Sequence, residues 1–100
     1  MKAPLIASKS KFAEVLQASV AKAKQLVAAS PDDSFLKSIL AQLEFMSRSV
    51  AENRAPLAAE LERINVGVIA VRTLEDTSPE FASQLSELEY AFRRWKDLAK

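Results

Sequence analysis

The chain has 100 residues, with 14 basic and 13 acidic side chains and neither histidine nor cysteine. That length bounds it to one small domain, and a composition of 49% hydrophobic and 27% charged residues is that of a globular chain, not a disordered one. A net charge of +1 argues against a dedicated nucleic-acid binder, and the missing histidine and cysteine remove any disulfide framework, zinc site, thiol nucleophile or imidazole base.

One glycine and four prolines stand against seventeen alanines and twelve leucines, a strong bias towards helix. The opening Met1-Lys2-Ala3-Pro4-Leu5-Ile6 has only two apolar residues beyond Pro4, so no signal peptide is expected. No apolar run approaches a membrane span, and a cytoplasmic protein without membrane contact is the expectation.

Four segments repeat apolar residues at the helical period. In the first, Phe12, Val15, Leu16, Ser19, Val20, Ala23, Leu26 and Val27 follow the i, i+3, i+4 ladder. Ser8 or Ser10 can cap it, and Ser30-Pro31 ends it, because a residue before proline is pushed out of helical geometry. The second starts at Asp32 or Asp33 and carries a broad stripe of Phe35, Leu36, Ile39, Leu40, Leu43, Met46 and Val50. It stops near Asn53, a residue that tolerates the left-handed conformation.

Pro56 suits the first turn of a third helix, continued by Leu57, Leu61, Ile64, Val68 and Val71. Residues 64–71 are β-branched and could be read as a strand, but the periodic continuation and the lack of a second strand favour helix. Gly67 in mid-helix costs about 1 kcal/mol relative to alanine, which a close helix-helix approach would offset. Leu61 to Leu74 superficially suggests a helix-turn-helix, yet Ile69-Ala70-Val71 offers no cap and no polar recognition face, and only Arg72 is basic. A buried helix is the better reading. For the fourth helix, Thr77-Ser78-Pro79-Glu80 supplies either a Thr77–Glu80 capping box or a Ser78 cap with Pro79 in the first turn. Phe81, Leu85, Leu88, Phe92, Trp95 and Ala99 then form a stripe over roughly 20 residues, about 30 Å. The expected fold is all-α, an antiparallel four-helix bundle-like domain with short links, in which Trp95, Phe92, Leu88 and Phe81 meet Leu40, Leu43, Ile64 and Val68.

No chemistry stands out. Glu60 and Glu62, like Glu87 and Glu89, are two apart and point to different faces of a helix, so they converge on no shared proton or metal. No cofactor is called for. The informative charge feature is local: Glu75, Asp76, Glu80, Glu87 and Glu89 fall in a stretch without a base, followed by Arg93, Arg94, Lys96 and Lys100 against only Asp97. Complementing the helix dipole accounts for Glu80 and the terminal bases but not for Glu87 and Glu89, which lie past the first turn. An acidic surface suited to a basic partner is the functional alternative.

From the third helix onward the residues resemble a known family. Gly67-Val68-Ile69-Ala70-Val71-Arg72, then Leu74-Glu75-Asp76-Thr77-Ser78-Pro79-Glu80-Phe81, then Leu85 and Tyr90, are similar to small helical immunity proteins that protect Gram-negative bacteria from type VI secretion effectors, in particular from an NAD(P)+ glycohydrolase effector. Gln42-Leu43-Glu44-Phe45-Met46 and Arg48 resemble the second helix of that family. The likeness runs from Leu36 to Phe92 and is most specific between Gly67 and Glu80; the first helix matches only in being amphipathic, and the Arg93-Arg94-Trp95 ending departs from the pattern. It implies a non-enzymatic protein that binds the catalytic domain of a cognate bacterial toxin and blocks entry of its nucleotide substrate. A relative of that scaffold could equally face an ADP-ribosyltransferase or a pyrophosphate-transferring toxin. On this reading the acids Glu75, Asp76, Glu80, Glu87 and Glu89 contact the toxin, whose nucleotide cleft carries cationic groups. The rival reading is a non-catalytic helical adaptor or dimerisation module, since an apolar stripe serves a core or a homo-oligomer seam equally.

Overall fold

The computed structural model describes residues 6–99. The opening Met1–Leu5 and the base Lys100, both used in the sequence reading, lie outside the described residues.

The first helix, α1 (Lys9–Ala29), starts where the Ser8 hydroxyl accepts the Lys11 N–H at 3.1 Å. It buries Phe12, Val15, Leu16, Ser19 and Ala23. The one polar member of that stripe is paired, because Gln84 Nε2 donates to the Ser19 hydroxyl at 2.7 Å. The second helix, α2 (Ser34–Ala51), is capped by Asp33, whose carboxylate accepts the Phe35 and Leu36 N–H groups at 2.9 and 3.1 Å. It ends before Asn53, which adopts the expected left-handed backbone with φ of 50°. Leu36, Ile39, Leu43 and Met46 form the buried face; Leu40 is half-buried, and Phe35, expected on the stripe, is exposed because Leu36 occupies the inward position.

The expected continuous third helix is two helices: α3 (Ala58–Leu61), a single turn, and α4 (Val66–Leu74). Between them Asn65 leaves helical geometry, with φ of −143° and ψ of 27°. The interruption resets the rotation of everything after it. Ile64 is buried as expected, but the inward residues of α4 are Val66, Gly67, Ala70 and Leu74. Val68, placed in the core by the unbroken period, is 54% exposed, and Val71 is 44% exposed.

The last long helix, α5 (Pro79–Arg93), has Ser78 at its cap position and Pro79 in its first turn, the second of the two starts open to it. It stops at Arg93 and does not run on to Ala99 as the stripe implied. The chain tightens into a 3₁₀ turn at Trp95–Asp97, and the Lys9 N–H then donates to the Ala99 carbonyl at 2.6 Å. A continued helix would carry Ala99 away along its axis. The turn keeps Trp95 buried, edge-on to Phe12 at 5.4 Å, while Phe92 lies 6.0 Å from both Phe12 and Phe45.

The long helices close a ring: α1 packs on α2 and α5, and α4 packs on α5 and α2. This is the bundle-like all-α fold, without named strands among the described residues. No helix among them is long and apolar enough to cross a membrane.

Gly67 sits at a close approach of α4 to α5. A Cβ there would lie 3.1 Å from Ser86 Cα and 3.2 Å from Glu89 Oε1, and a backbone atom cannot swing aside. Gly67→Ala gains up to about 1 kcal/mol of helix propensity against overpacking of about 1–3 kcal/mol. The expected outcome is a net loss of up to ~2 kcal/mol, read from the midpoint of urea unfolding.

Candidate functional site

Three polar clamps hold the region around the helix interruption. Arg54 reaches forward from the end of α2 and grips Glu60 with both terminal nitrogens, at 2.9 and 3.3 Å. Glu60 also accepts the Leu57 N–H at 2.8 Å, tying down the start of α3. The hydrogen bond from Arg54, then that from the Leu57 backbone, holds the Glu60 carboxyl below the usual carboxylate range. In the second clamp, Gln42 Nε2 donates to Asn65 Oδ1 at 2.8 Å while Gln42 Oε1 accepts the Asn65 N–H at 2.9 Å. This two-way amide pair fixes the very residue at which helical geometry is lost.

The third clamp comes from α5. Glu89 Oε1 accepts the Gly67 N–H at 2.9 Å, and Glu89 Oε2 accepts from Arg93 Nε at 3.1 Å. Arg93 in turn donates to the carbonyls of Leu61 and Ile64, at 3.2 and 2.8 Å. A broken helix leaves orphaned carbonyls on one side and orphaned N–H groups on the other. Neighbouring side chains of one helix satisfy groups on both sides.

Outside these clamps α4 presents Val68, Val71, Arg72 and Glu75 to solvent. Across a shallow groove of about 460 Å³, α5 contributes Tyr90, which is 57% exposed. Arg94 flanks Tyr90, its guanidinium 5.3 Å from the ring centroid and one nitrogen 3.3 Å from the hydroxyl. A second hollow of about 750 Å³ opens between α2 and the α3 region, lined by Ser38, Gln42, Phe45, Glu62 and Arg63 among others.

The five acids singled out in the sequence do not form one surface. Glu75, Asp76 and Glu80 are exposed around the α4–α5 turn. With Ser78 as the N-cap, Glu80 is not in the capping-box position that Thr77 would have given it. Glu87 is half-buried on the flank of α5, and Glu89 faces α4, its side chain 17% exposed and occupied by Gly67 and Arg93. The exposed apolar residues Val68, Val71 and Tyr90 were not singled out. The advance signal for Val68 and Val71 is an apolar excess on a nine-residue helix, which reads as core until the rotation of α4 is known, and that for Tyr90 is its place in the family pattern. No group of three or more acidic side chains among the described residues could hold a metal ion.

A sequence model of the Tsi6 family matches residues 11–94. No curated protein and no solved structure matches the chain.

Two clamps can be tested directly. Glu89→Ala leaves the Gly67 N–H and the Arg93 Nε–H without their acceptor, and should cost about 1–2 kcal/mol in urea unfolding, with Glu89→Gln losing less because it keeps an acceptor. Glu60 has a folded pKa below its unfolded one, so its contribution is full above the unfolded value of about 4.3 and is lost as pH falls through the lower folded value. Lowering the pH from about 5 to about 3 should therefore destabilise the wild type more than Glu60→Gln, measured as the change in unfolding midpoint.

Proposed function

Because the chain belongs to the Tsi6 family of type VI secretion immunity proteins, we propose that it binds the catalytic domain of a cognate antibacterial toxin, an NAD(P)+ glycohydrolase, and closes the active site against the nucleotide. The observation that carries this reading is the match over residues 11–94, which takes in nearly all of α1 and the whole of α2, α4 and α5. Inhibition by occupation asks for no chemistry of the inhibitor. A chain without histidine or cysteine is equipped for that role and poorly equipped for turnover. The protein acts in the cytoplasm, where the nucleotide pool to be defended lies.

The acids Glu75 and Asp76, with Glu80 beside them, are the natural complement to the cationic groups that a pyrophosphate-binding cleft carries. Glu87, half-buried on the flank of α5, is a separate acidic contact. Glu89 supports the turn acids indirectly by holding α4 in place. A stable complex buries about 800 Å² on each partner, roughly an eighth of the 6357 Å² exposed here. The acidic turn therefore forms one part of the contact and not the whole.

The test is an NAD hydrolysis assay with the purified catalytic domain of the toxin encoded beside this gene. The expected result is stoichiometric inhibition, with no hydrolysis by the isolated protein. Full hydrolysis in the presence of excess protein overturns the reading in favour of a helical adaptor or dimerisation module. Reversing Glu75, Asp76 and Glu87 together to Lys should weaken binding and slow association at low salt while circular dichroism stays unchanged. Unchanged affinity would make the acidic turn a solvated face only.

A further inference from the structure

We propose that the toxin docks on the outward face of α4 and the adjoining Tyr90, with Val71 and Tyr90 as apolar anchors between two ends of opposite charge. This rests on the immunity reading above and assigns that contact to a surface. The spacing of Val68, Val71, Arg72 and Glu75 is i, i+3, i+4, i+7, which places them on one face of the helix, and all four are exposed. Among the described residues the large exposed hydrophobics are Phe35, Leu57, Val68, Val71 and Tyr90, and three of these five line the groove between α4 and α5. Single exposed apolar residues are ordinary, whereas a contiguous group rimmed by charge marks a contact surface.

The charges at its ends say what covers it. Arg54 and Arg93 are committed to Glu60 and Glu89, but neither Arg72 nor Arg94 has an ion pair among the described residues, and neither do Glu75 and Asp76. The groove thus has the uncommitted Arg94 guanidinium flanking Tyr90 at one end, Arg72 among its lining residues, and the uncommitted carboxylates Glu75 and Asp76 beyond it at the α4–α5 turn. Its complement is a protein surface that is apolar in the middle, acidic opposite Arg94, and basic opposite Glu75 and Asp76. Nucleic acid lacks that polarity, and the carboxylates would repel it. The pattern also sets the direction in which the toxin lies along α4, because the reversed pose puts like charges together.

The experiment titrates the full chain with the purified catalytic domain of the toxin encoded beside the gene, by calorimetry. Val71→Asp and Tyr90→Ala should each lose at least about tenfold in affinity, as central anchors do, with circular dichroism and melting temperature as in the wild type. Leu57→Asp alters an exposed apolar residue that is not part of the groove, and should stay within about twofold. Wild-type binding that survives Val71→Asp and Tyr90→Ala within about twofold overturns this surface and leaves the immunity reading standing. Absence of wild-type binding overturns both. Size-exclusion chromatography supplies the remaining arm: a wild-type dimer that Val71→Asp dissociates, with toxin affinity unchanged, gives the groove to a second copy and overturns the proposal.

Discussion

The Glu89 carboxylate accepts from two directions, from the Gly67 N–H at the start of α4 and from the Arg93 guanidinium one turn along α5. Arg93 carries the connection on to the Leu61 and Ile64 carbonyls behind the interruption. An anion beside a helix N-terminus is favourable in itself, and a cation beside terminal carbonyls is its mirror image. Together they make the interruption a fixed joint in which the Gly67 N–H and the Leu61 and Ile64 carbonyls find partners. The amide pair of Gln42 and Asn65 performs the same service from α2. Without these partners, the apolar period that runs from Leu57 to Val71 would favour one continued helix, against the β-branched residues and Gly67 within it.

The joint decides what α4 shows to the rest of the molecule. Val66, Ala70 and Leu74 turn inward, and Gly67 lets α4 settle against Ser86 of α5. The residues left outside are then Val68 and Val71, a pair that an uninterrupted helix would have buried. A surface feature and a packing feature thus share one cause. The aromatic cluster of Phe12, Phe45, Phe92 and Trp95 stands apart from this arrangement, joining α1, α2 and α5.

The starts of α1, α2 and α5 and the stops of α1 and α2 were readable from the sequence because they depend on neighbours, whereas the stop of α5 at Arg93 was not. Ser8 bonds to Lys11, Asp33 to Phe35 and Leu36, and Asn53 needs only its own tolerance of positive φ. The inward faces of α1, α2 and α5 were readable for the same reason, since one period runs through each. The interruption was not. Its partners are 22, 23, 29 and 32 residues away in sequence, so no local window contains them. For the candidate surface, the turn acids Glu75 and Asp76 were visible as charge. The diversion of Glu89 into the fold was hidden until α4 had a position, and the outward turn of Val68 and Val71 was misread with it.

The division of labour along α4 bears on how such a protein diverges. The inward residues and Gly67 are held by packing against α5 and α2, and change there disturbs the bundle. Val68, Val71, Arg72 and Glu75 lie on the same nine-residue helix or at its very end, exposed and outside the clamps. Substitution at these positions has little effect on stability. A lineage under pressure from an altered toxin can therefore rewrite this face residue by residue while the scaffold beneath it stays the same. The glycine in the first turn of α4 then serves as an anchor for drift, holding one side of a short helix constant so that the other can follow its adversary.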